Sequence, residues 1–261
     1  MTELLERTIL LARQAGRTVM DIYARAFEVQ KKGDDSPLTE ADLASHEIIA
    51  ERLMSTGWPV LSEESAMIPF EQRRTWEKYW LVDPLDGTKE FVRRTGEFTI
   101  NIALIEDGFP ILGVVYAPAM ERLYHAGKDM GAYLEMEGQS RRIEVSPHAG
   151  RRPRVVASRS HRGGKLDAFL EKLGEHEEVS MGSSLKFCLV AEGSADLYPR
   201  LGPTMEWDTA AAQCIVEEAG GSVCNLEGDR LHYNKQDLHN PEFMVAGNPP
   251  VPWRDFLAAS A

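Results

Sequence analysis

The chain has 261 residues, of which 43% are hydrophobic and 27% charged, and a formal net charge of −12. That balance belongs to a folded globular protein with room for one large or two medium cores, and it excludes a disordered chain. The negative charge argues against a nucleic-acid polymer as partner, because such binding rests on Lys and Arg neutralising many phosphates. No apolar run approaches the roughly 20 residues that a membrane span needs. Glu3 and Glu6 close to Met1 break any signal-peptide pattern. Cys188, Cys214 and Cys224 form no C-x-x-C pair. A reducing, cytoplasmic location is therefore expected, with peripheral contact at the inner face of the cell membrane left open.

Leu4, Leu11, Ala15, Val19 and Ile22 recur at helical spacing and predict an amphipathic helix over 3–25. A polar loop over 31–38 follows, and then Thr39 reads as the N-cap of a second helix carrying Leu43, Ile48, Ile49 and Leu53, with Asp42 in its first turn. Val60 to Ser62 reads as a short strand running into Glu63 and Glu64, and Tyr79 to Val82 as another ending at Asp83, so both present acids at a strand terminus. Phe98 to Ile105 and Ile111 to Tyr116, around Glu106-Asp107-Gly108, predict an antiparallel pair, with further strands at 122–126, 131–135 and 142–145. From Arg154 the pattern alternates: strand 154–157, helix 164–173, strand near 178–181, helix 184–192, strand 195–198 and a helix over 207–219. A Gly220-Gly221 stop and strands at 221–224 and 242–246 complete it. The basic, Pro-containing stretch 147–153 separates an N-terminal α+β half, 1–146, built on an antiparallel sheet, from a C-terminal α/β half, 147–261.

The chemistry concentrates in Asp83-Pro84-Leu85-Asp86-Gly87-Thr88, which sets two carboxylates three residues apart. Proline holds its own φ at 84 and glycine permits a sharp turn at 87, so both carboxylates and the Leu85 carbonyl can face one point. Oxygen ligands of this kind suit Mg²⁺, although Asp, Pro and Gly are also ordinary turn residues. Phosphatases of the haloacid dehalogenase type place one residue between their aspartates. The two found here favour bridging of metal ions over covalent catalysis. Neither Cys188 nor Cys214 has an arginine at the spacing of a C-x5-R phosphatase loop, and the P-loop, G-x-S-x-G and H-E-x-x-H motifs are absent. An acidic protein that binds phosphate through an acidic motif needs a divalent cation to supply positive charge.

A second informative segment is Trp207-Asp208-Thr209-Ala210-Ala211-Ala212, with Asp208 expected in a first helical turn, where an acid also offsets the positive helix end. Residues 151–165 contain Arg151, Arg152, Arg154, Arg159, Arg162 and Lys165 and no acid. Such a cluster is either a solvated surface or a phosphate contact.

Leu61-Ser62-Glu63-Glu64, the 83–88 stretch and Trp207-Asp208-Thr209-Ala210-Ala211 occur in the order and at the approximate spacing of the inositol monophosphatase superfamily. Within it the chain resembles the CysQ type of 3'(2'),5'-bisphosphate nucleotidase. The likeness is carried by Tyr79-Trp80-Leu81-Val82 leading into Asp83, by Leu85-Asp86-Gly87-Thr88-Lys89-Glu90-Phe91, by Gly96-Glu97-Phe98-Thr99-Ile100-Asn101-Ile102-Ala103, and by the 182–193 segment. It runs from Ser36-Pro37-Leu38-Thr39-Glu40-Ala41-Asp42 to the strand at 241–246, and matches poorly at Met205-Glu206 and from Pro249 to Ala261.

The resemblance implies a layered αβαβα sugar-phosphatase fold, mixing α+β and α/β elements, with two or three Mg²⁺ ions at the junction of the halves. Carried over by position, Glu63, Asp83 and the Leu85 carbonyl would hold one ion, and Asp83, Asp86 and Asp208 a second. Thr88, paired with Asp42, would position and deprotonate the attacking water, and Glu63 would count with them as a catalytic residue. Substrate would lie against Leu85, Asp86, Gly87, Thr88 and Asp208, while His161, Ser183, Lys186 and Arg200 would hold its second phosphate and adenine. The implied reaction is hydrolysis of 3'-phosphoadenosine 5'-phosphate to AMP and phosphate by direct attack of water, with Li⁺ inhibiting by replacing one Mg²⁺.

Inositol monophosphate or fructose 1,6-bisphosphate at the same metal site is the alternative enzyme reading. A nucleotide-binding regulator without turnover is a further one, against which a water-activating Thr88 beside a full acid set argues. A calcium-binding module is disfavoured because the acids are dispersed from Glu63 to Asp208.

Overall fold

Helix α1, Thr2–Tyr23, buries Leu5, Leu11, Ala12, Ala15, Val19 and Ile22 along one face, as the helical periodicity requires. The architecture comes from a computed structural model that describes residues 1–26, 29–31, 37–65, 68–147, 152–157 and 164–257. In place of the polar loop expected over 31–38, β1 (Val29–Lys31) and β2 (Pro37–Thr39) pair antiparallel, while residues 32–36 lie outside the described ones. Helix α2, Glu40–Met54, starts at Thr39 as expected. The Thr39 hydroxyl accepts from Ala41 N, and Asp42 reaches back to accept from Thr39 N at 2.8 Å, a reciprocal cap.

A seven-stranded sheet follows: β3 (Val60–Ser62), β4 (Lys78–Asp86), β5 (Thr99–Glu106), β6 (Phe109–Ala117), β7 (Arg122–Gly127), β8 (Gly131–Met136) and β9 (Gln139–Ile143). Its strands lie in sequence order and pair antiparallel, except that β3 and β4 are parallel. That exception corrects the all-antiparallel expectation, and the β3–β4 crossover contains the short helix α3, Phe70–Arg73. Helix α4, Thr88–Val92, leaves directly from the end of β4.

The second half contains β10 (Arg154–Ala157), α5 (Gly164–Leu173), β11 (Glu177–Ser180), α6 (Leu185–Ala191), β12 (Leu197–Arg200), α7 (Ala210–Glu218), β13 (Ser222–Asn225) and β14 (Phe243–Ala246). Its five-stranded sheet runs β11-β10-β12-β14-β13. The strands β11, β10 and β12 are parallel, but β14 pairs antiparallel with both neighbours, so the sheet is mixed and not the purely alternating α/β form.

Strand alternation sorts the side chains into layers. Trp80, Val82, Ile100, Ile102, Leu104, Leu112 and Val114 pack under α1 and α2. Tyr79, Leu81, Ala103, Ile105 and Val115 point the other way, into a core shared with α6, α7 and the second sheet. Leu166, Phe169 and Leu170 of α5 cover the far face of that sheet. The result is helix, sheet, helix, sheet, helix, with one apolar core continuous through the middle layer. Asp83 continues the Tyr79–Leu81 side of β4, and Asn101, opposite it in the ladder, the Ala103–Ile105 side of β5. Both therefore face α6 and α7.

The middle layer tolerates no extra volume at β6. A Cβ on Gly113 would run into the Ala211 carbonyl oxygen and stand 3.0 Å from the Cys214 Cβ, so α7 sits directly on bare backbone. Gly113→Ala is expected to lower stability by about 1–3 kcal/mol or more. The check is the urea unfolding midpoint, and an unchanged midpoint would contradict this account of the α7 seat.

Candidate active site

Asp83 and Asp86 both lie within β4, so the strand runs past the point where it is expected to end. Three residues apart in a regular strand, they would point to opposite faces. The ladder instead shifts register between them, Asp83 pairing with Asn101 and Asp86 with Thr99, and this irregularity re-aims Asp86 toward the side that Asp83 occupies. Gly87 then turns the chain at φ 88° into α4. A side chain there would be strained, with its Cβ 3.1 Å from the Glu97 carbonyl oxygen.

Asp208 arrives from the second half on a 3-10 turn, Glu206–Asp208, that precedes α7. This corrects its expected place inside the first turn of a helix over 207–219. Carboxylate oxygens of Asp83, Asp86 and Asp208 lie within 4.8 Å of one another. Each carboxyl is oriented by a backbone N–H: Leu85 N donates to Asp83 at 3.0 Å, Ser184 N to Asp86 at 2.6 Å and Met205 N to Asp208 at 2.9 Å.

Burial first, and then the charges of Glu63, Asp86 and Asp208, hold the Asp83 carboxyl well above the usual carboxylate range. Burial, and then Asp86, pushes Asp208 up to about 8. Glu63 stands outside the compact trio, on the 3-10 turn after β3, and acts on both Asp83 and Asp208 through its charge. A set of hard oxygen donors, one buried and two partly buried, that repel one another is what a divalent cation such as Mg²⁺ fits.

Beside the trio, the Thr88 hydroxyl lies 3.2 Å from Asp42 Oδ1 and 3.2 Å from the Leu85 carbonyl oxygen. The other oxygen of Asp42 is taken by Thr39, so the same buried acid both caps α2 and faces Thr88. The cap on α2 and the contact with Thr88 therefore use different oxygens of Asp42 and do not compete.

Asp86 and Asp208 of the trio line a cleft of about 430 Å³, together with Gly87, Thr88, Ser183, Lys186 and Arg200. Lys186 is buried, which lowers its pKa, while Asp86 raises it; its ammonium sits 5.7 Å from the Tyr198 ring centre. Ser183 is held at φ 46°, in the left-handed region. His161 lies outside the described residues, as do Ser36, Arg151, Arg159 and Arg162. Of the basic cluster, Arg154 is locked onto buried Asp196 at 2.8 and 3.1 Å and so serves the fold, whereas Lys165 makes an exposed ion pair with Glu242 at 2.7 Å.

Several groups at the site carry no motif of their own. Glu206 is fully buried and accepts from Asn234 N at 2.7 Å, Lys235 N at 2.9 Å and the Lys235 ammonium at 2.6 Å. Arg73 of α3 donates to the Asn234 side chain and to the carbonyls of Lys235 and Gln236. Asn240 donates to Met205 O at 2.7 Å and to the Thr209 hydroxyl at 3.1 Å. The turn that carries Asp208 is thereby clamped on both sides. Acid at 206 reads locally as a helix-start residue, and its partners are remote in the chain, which is why no sequence signal finds it.

Cys224 and Arg230 have the C-x5-R spacing, but the Cys224 thiol is pushed up by burial and Arg230 is paired with Glu217 at 2.6 and 2.7 Å. A thiolate nucleophile is not served there. Among the described residues, no helix is long and apolar enough to cross a membrane.

The chain belongs to the inositol monophosphatase family, whose model matches residues 1–251. It is 50% identical over 247 residues to the 3'(2'),5'-bisphosphate nucleotidase CysQ of Salmonella typhimurium, covering 93% of this chain and 99% of that protein. Against the nucleotidase CysQ of Escherichia coli K12 it is 48% identical over 248 residues, covering 93% and 99%. Among solved structures, CysQ from Bacteroides thetaiotaomicron superposes with a TM-score of 0.80 at 41% identity, over 92% of this chain and 97% of that one. An IMPase of Thermotoga maritima gives 0.79 at 27% identity, over 94% and 92%. The layered fold expected from the sequence is thus the one these proteins share.

A carboxyl raised on folding, as that of Asp208 is, stabilises below its unfolded pKa of 3.8, and loses that contribution as pH climbs through its folded value of about 8. Chelated protein is therefore expected to lose thermal stability between about pH 5 and about pH 8, and the gain on adding Mg²⁺ to grow over the same interval. Melting curves with EDTA and with Mg²⁺ check this. A Mg²⁺ gain independent of pH would contradict the buried-acid account.

Proposed function

We propose that the chain is a Mg²⁺-dependent 3'(2'),5'-bisphosphate nucleotidase that hydrolyses 3'-phosphoadenosine 5'-phosphate to AMP and phosphate. The observation that carries the reading is the convergence, beside one cleft, of the Asp83–Asp86–Asp208 cluster with the Asp42–Thr88 hydrogen bond. The near-50% identity to bisphosphate nucleotidases over almost the whole chain supports the substrate class.

Glu63, Asp83 and the Leu85 carbonyl would hold one cation, and Asp83, Asp86 and Asp208 another. When bound, Mg²⁺ supplies positive charge to the phosphoryl oxygens and makes a water more acidic. Thr88 orients the attacking water and takes a proton from it while passing its own hydroxyl proton to Asp42, which ends as the carboxylic acid and whose other oxygen Thr39 holds in place. Ser183, Lys186 and Arg200, together with His161, bind the phosphate and base that are spared. Lys186 and Arg200 offer that phosphate a cationic wall. The halves 1–146 and 147–261 contribute unequally: the first brings most of the acids, the second Asp208 and the specificity residues.

The test is phosphate release from 3'-phosphoadenosine 5'-phosphate, inositol 1-phosphate and fructose 1,6-bisphosphate, with Mg²⁺ and with added Li⁺. The nucleotide is expected to be strongly preferred, with release dependent on Mg²⁺ and inhibited by Li⁺. Equal turnover of inositol 1-phosphate would defeat the specificity. Asp83→Asn is expected to lower kcat on the order of a thousandfold, as loss of a principal electrostatic group does. Lys186→Ala should raise KM for the nucleotide about tenfold or more while changing kcat less. The reverse split would remove Lys186 from ground-state binding.

A further inference from the structure

Ser184, the residue before α6, is 2% exposed and touches both halves of the cation cluster. Its backbone N–H donates to Asp86 Oδ2 at 2.6 Å. Its hydroxyl oxygen lies 2.7 Å from the same carboxylate oxygen and 2.8 Å from the Asp208 carbonyl oxygen, and it accepts from Asn101 Nδ2 at 2.8 Å. A hydroxyl has one proton and two lone pairs: Asn101 donates to one lone pair, and two oxygens from opposite halves share its single proton. Thr99 and Asn101 reach the same Asp86 oxygen only at 3.4 and 3.5 Å, which leaves Ser184 as its closest partner.

We propose that Ser184 is a positioning residue for the cation held by Asp83, Asp86 and Asp208. Its hydroxyl ties the carboxylate of Asp86, on β4, to the backbone of Asp208, on the turn before α7, and so holds together ligands that the chain separates by more than a hundred positions. The backbone N–H alone would still orient Asp86. Of the two Ser184 groups, the hydroxyl is the one that reaches both Asp86 and Asp208. Groups that orient metal ligands in this way tune affinity without touching the ion, and their loss typically costs about 10–100-fold.

The inference rests on the cation site of the proposed function, but it is tested by binding and not by turnover. Mn²⁺, which electron paramagnetic resonance detects free in solution, is titrated into wild type, Ser184→Ala and Ser184→Thr without nucleotide, alongside melting curves. Ser184→Ala is expected to bind Mn²⁺ about tenfold or more weakly. Ser184→Thr, which keeps the hydroxyl, should restore affinity to within about threefold of wild type, and KM for the nucleotide should change little in either variant. If Ser184→Ala does not fold, Ser184→Gly removes the same hydroxyl and adds no atom. Wild-type affinity in the folded hydroxyl-less variant overturns the proposal. So does an equal loss in Ser184→Thr, because the hydroxyl is then not the acting group. A wild type that binds no Mn²⁺ would remove the cation site itself, and the role of Ser184 with it, whereas intact Mn²⁺ binding without phosphate release would sink only the activity.

Discussion

Mutual repulsion among closely set carboxylates is the constraint around which this protein is organised. Asp83, Asp86 and Asp208 bring their oxygens within 4.8 Å of one another, Asp83 buried and the other two at the wall of the cleft, with Glu63 adding its charge. Such a cluster works against folding unless protons or a cation neutralise it. Its persistence therefore calls for strong surrounding structure. That structure is visible as three backbone N–H donors, one per aspartate, and as the hydroxyl of Ser184. Neutral donors orient the acids without cancelling the charge that a phosphatase needs for its metal ions.

The layers supply the rigidity. Two sheets enclose α6 and α7, and the shared apolar core runs from Leu81 and Ala103 through Cys188 and Ile215 to Phe243 and Val245. Core packing at this density transmits small displacements, so the ends of β4, α6 and the turn before α7 cannot drift independently. The close seat of α7 on Gly113 sets the distance between the first sheet and the Asp208 turn. The clamp of Glu206, Lys235, Asn240 and Arg73 fixes that turn from its other side, and it draws α3 of the first half into the same network. A fully buried Glu206 paired with Lys235 is costly to form, yet it is well hydrogen-bonded. Its evident product is a fixed position for the next two residues and not extra stability.

Much of the layout was legible from local pattern. Strand 154–157 and helix 164–173 fall where alternation and helical periodicity place them, and Thr39 caps α2 because a hydroxyl before an apolar-periodic run does so wherever it occurs. The acids at 83, 86 and 208 were also legible, since their residue types and order carry the family pattern. Less legible were the parallel pairing of β3 with β4 and the antiparallel place of β14, because the direction of a strand in its sheet depends on crossovers that no local period encodes. The basic run showed the same limit: Arg154 looks available in sequence, but in the fold it is bound to Asp196.

What the sequence by itself determined, then, is which chemistry is possible: hard oxygen donors in a fixed order, a threonine beside them, and apolar periodicities sufficient for two sheets and their helices. Tertiary structure alone decided that the chemistry is assembled. Asp83 and Asp86 share a side only because β4 breaks register between them, and Asp208 joins them only because Ser184, Asn240 and Glu206 hold its turn against strands from remote parts of the chain. Strand parity, register shifts and long-range hydrogen bonds are properties of pairs of segments. A single segment, however distinctive, does not contain them.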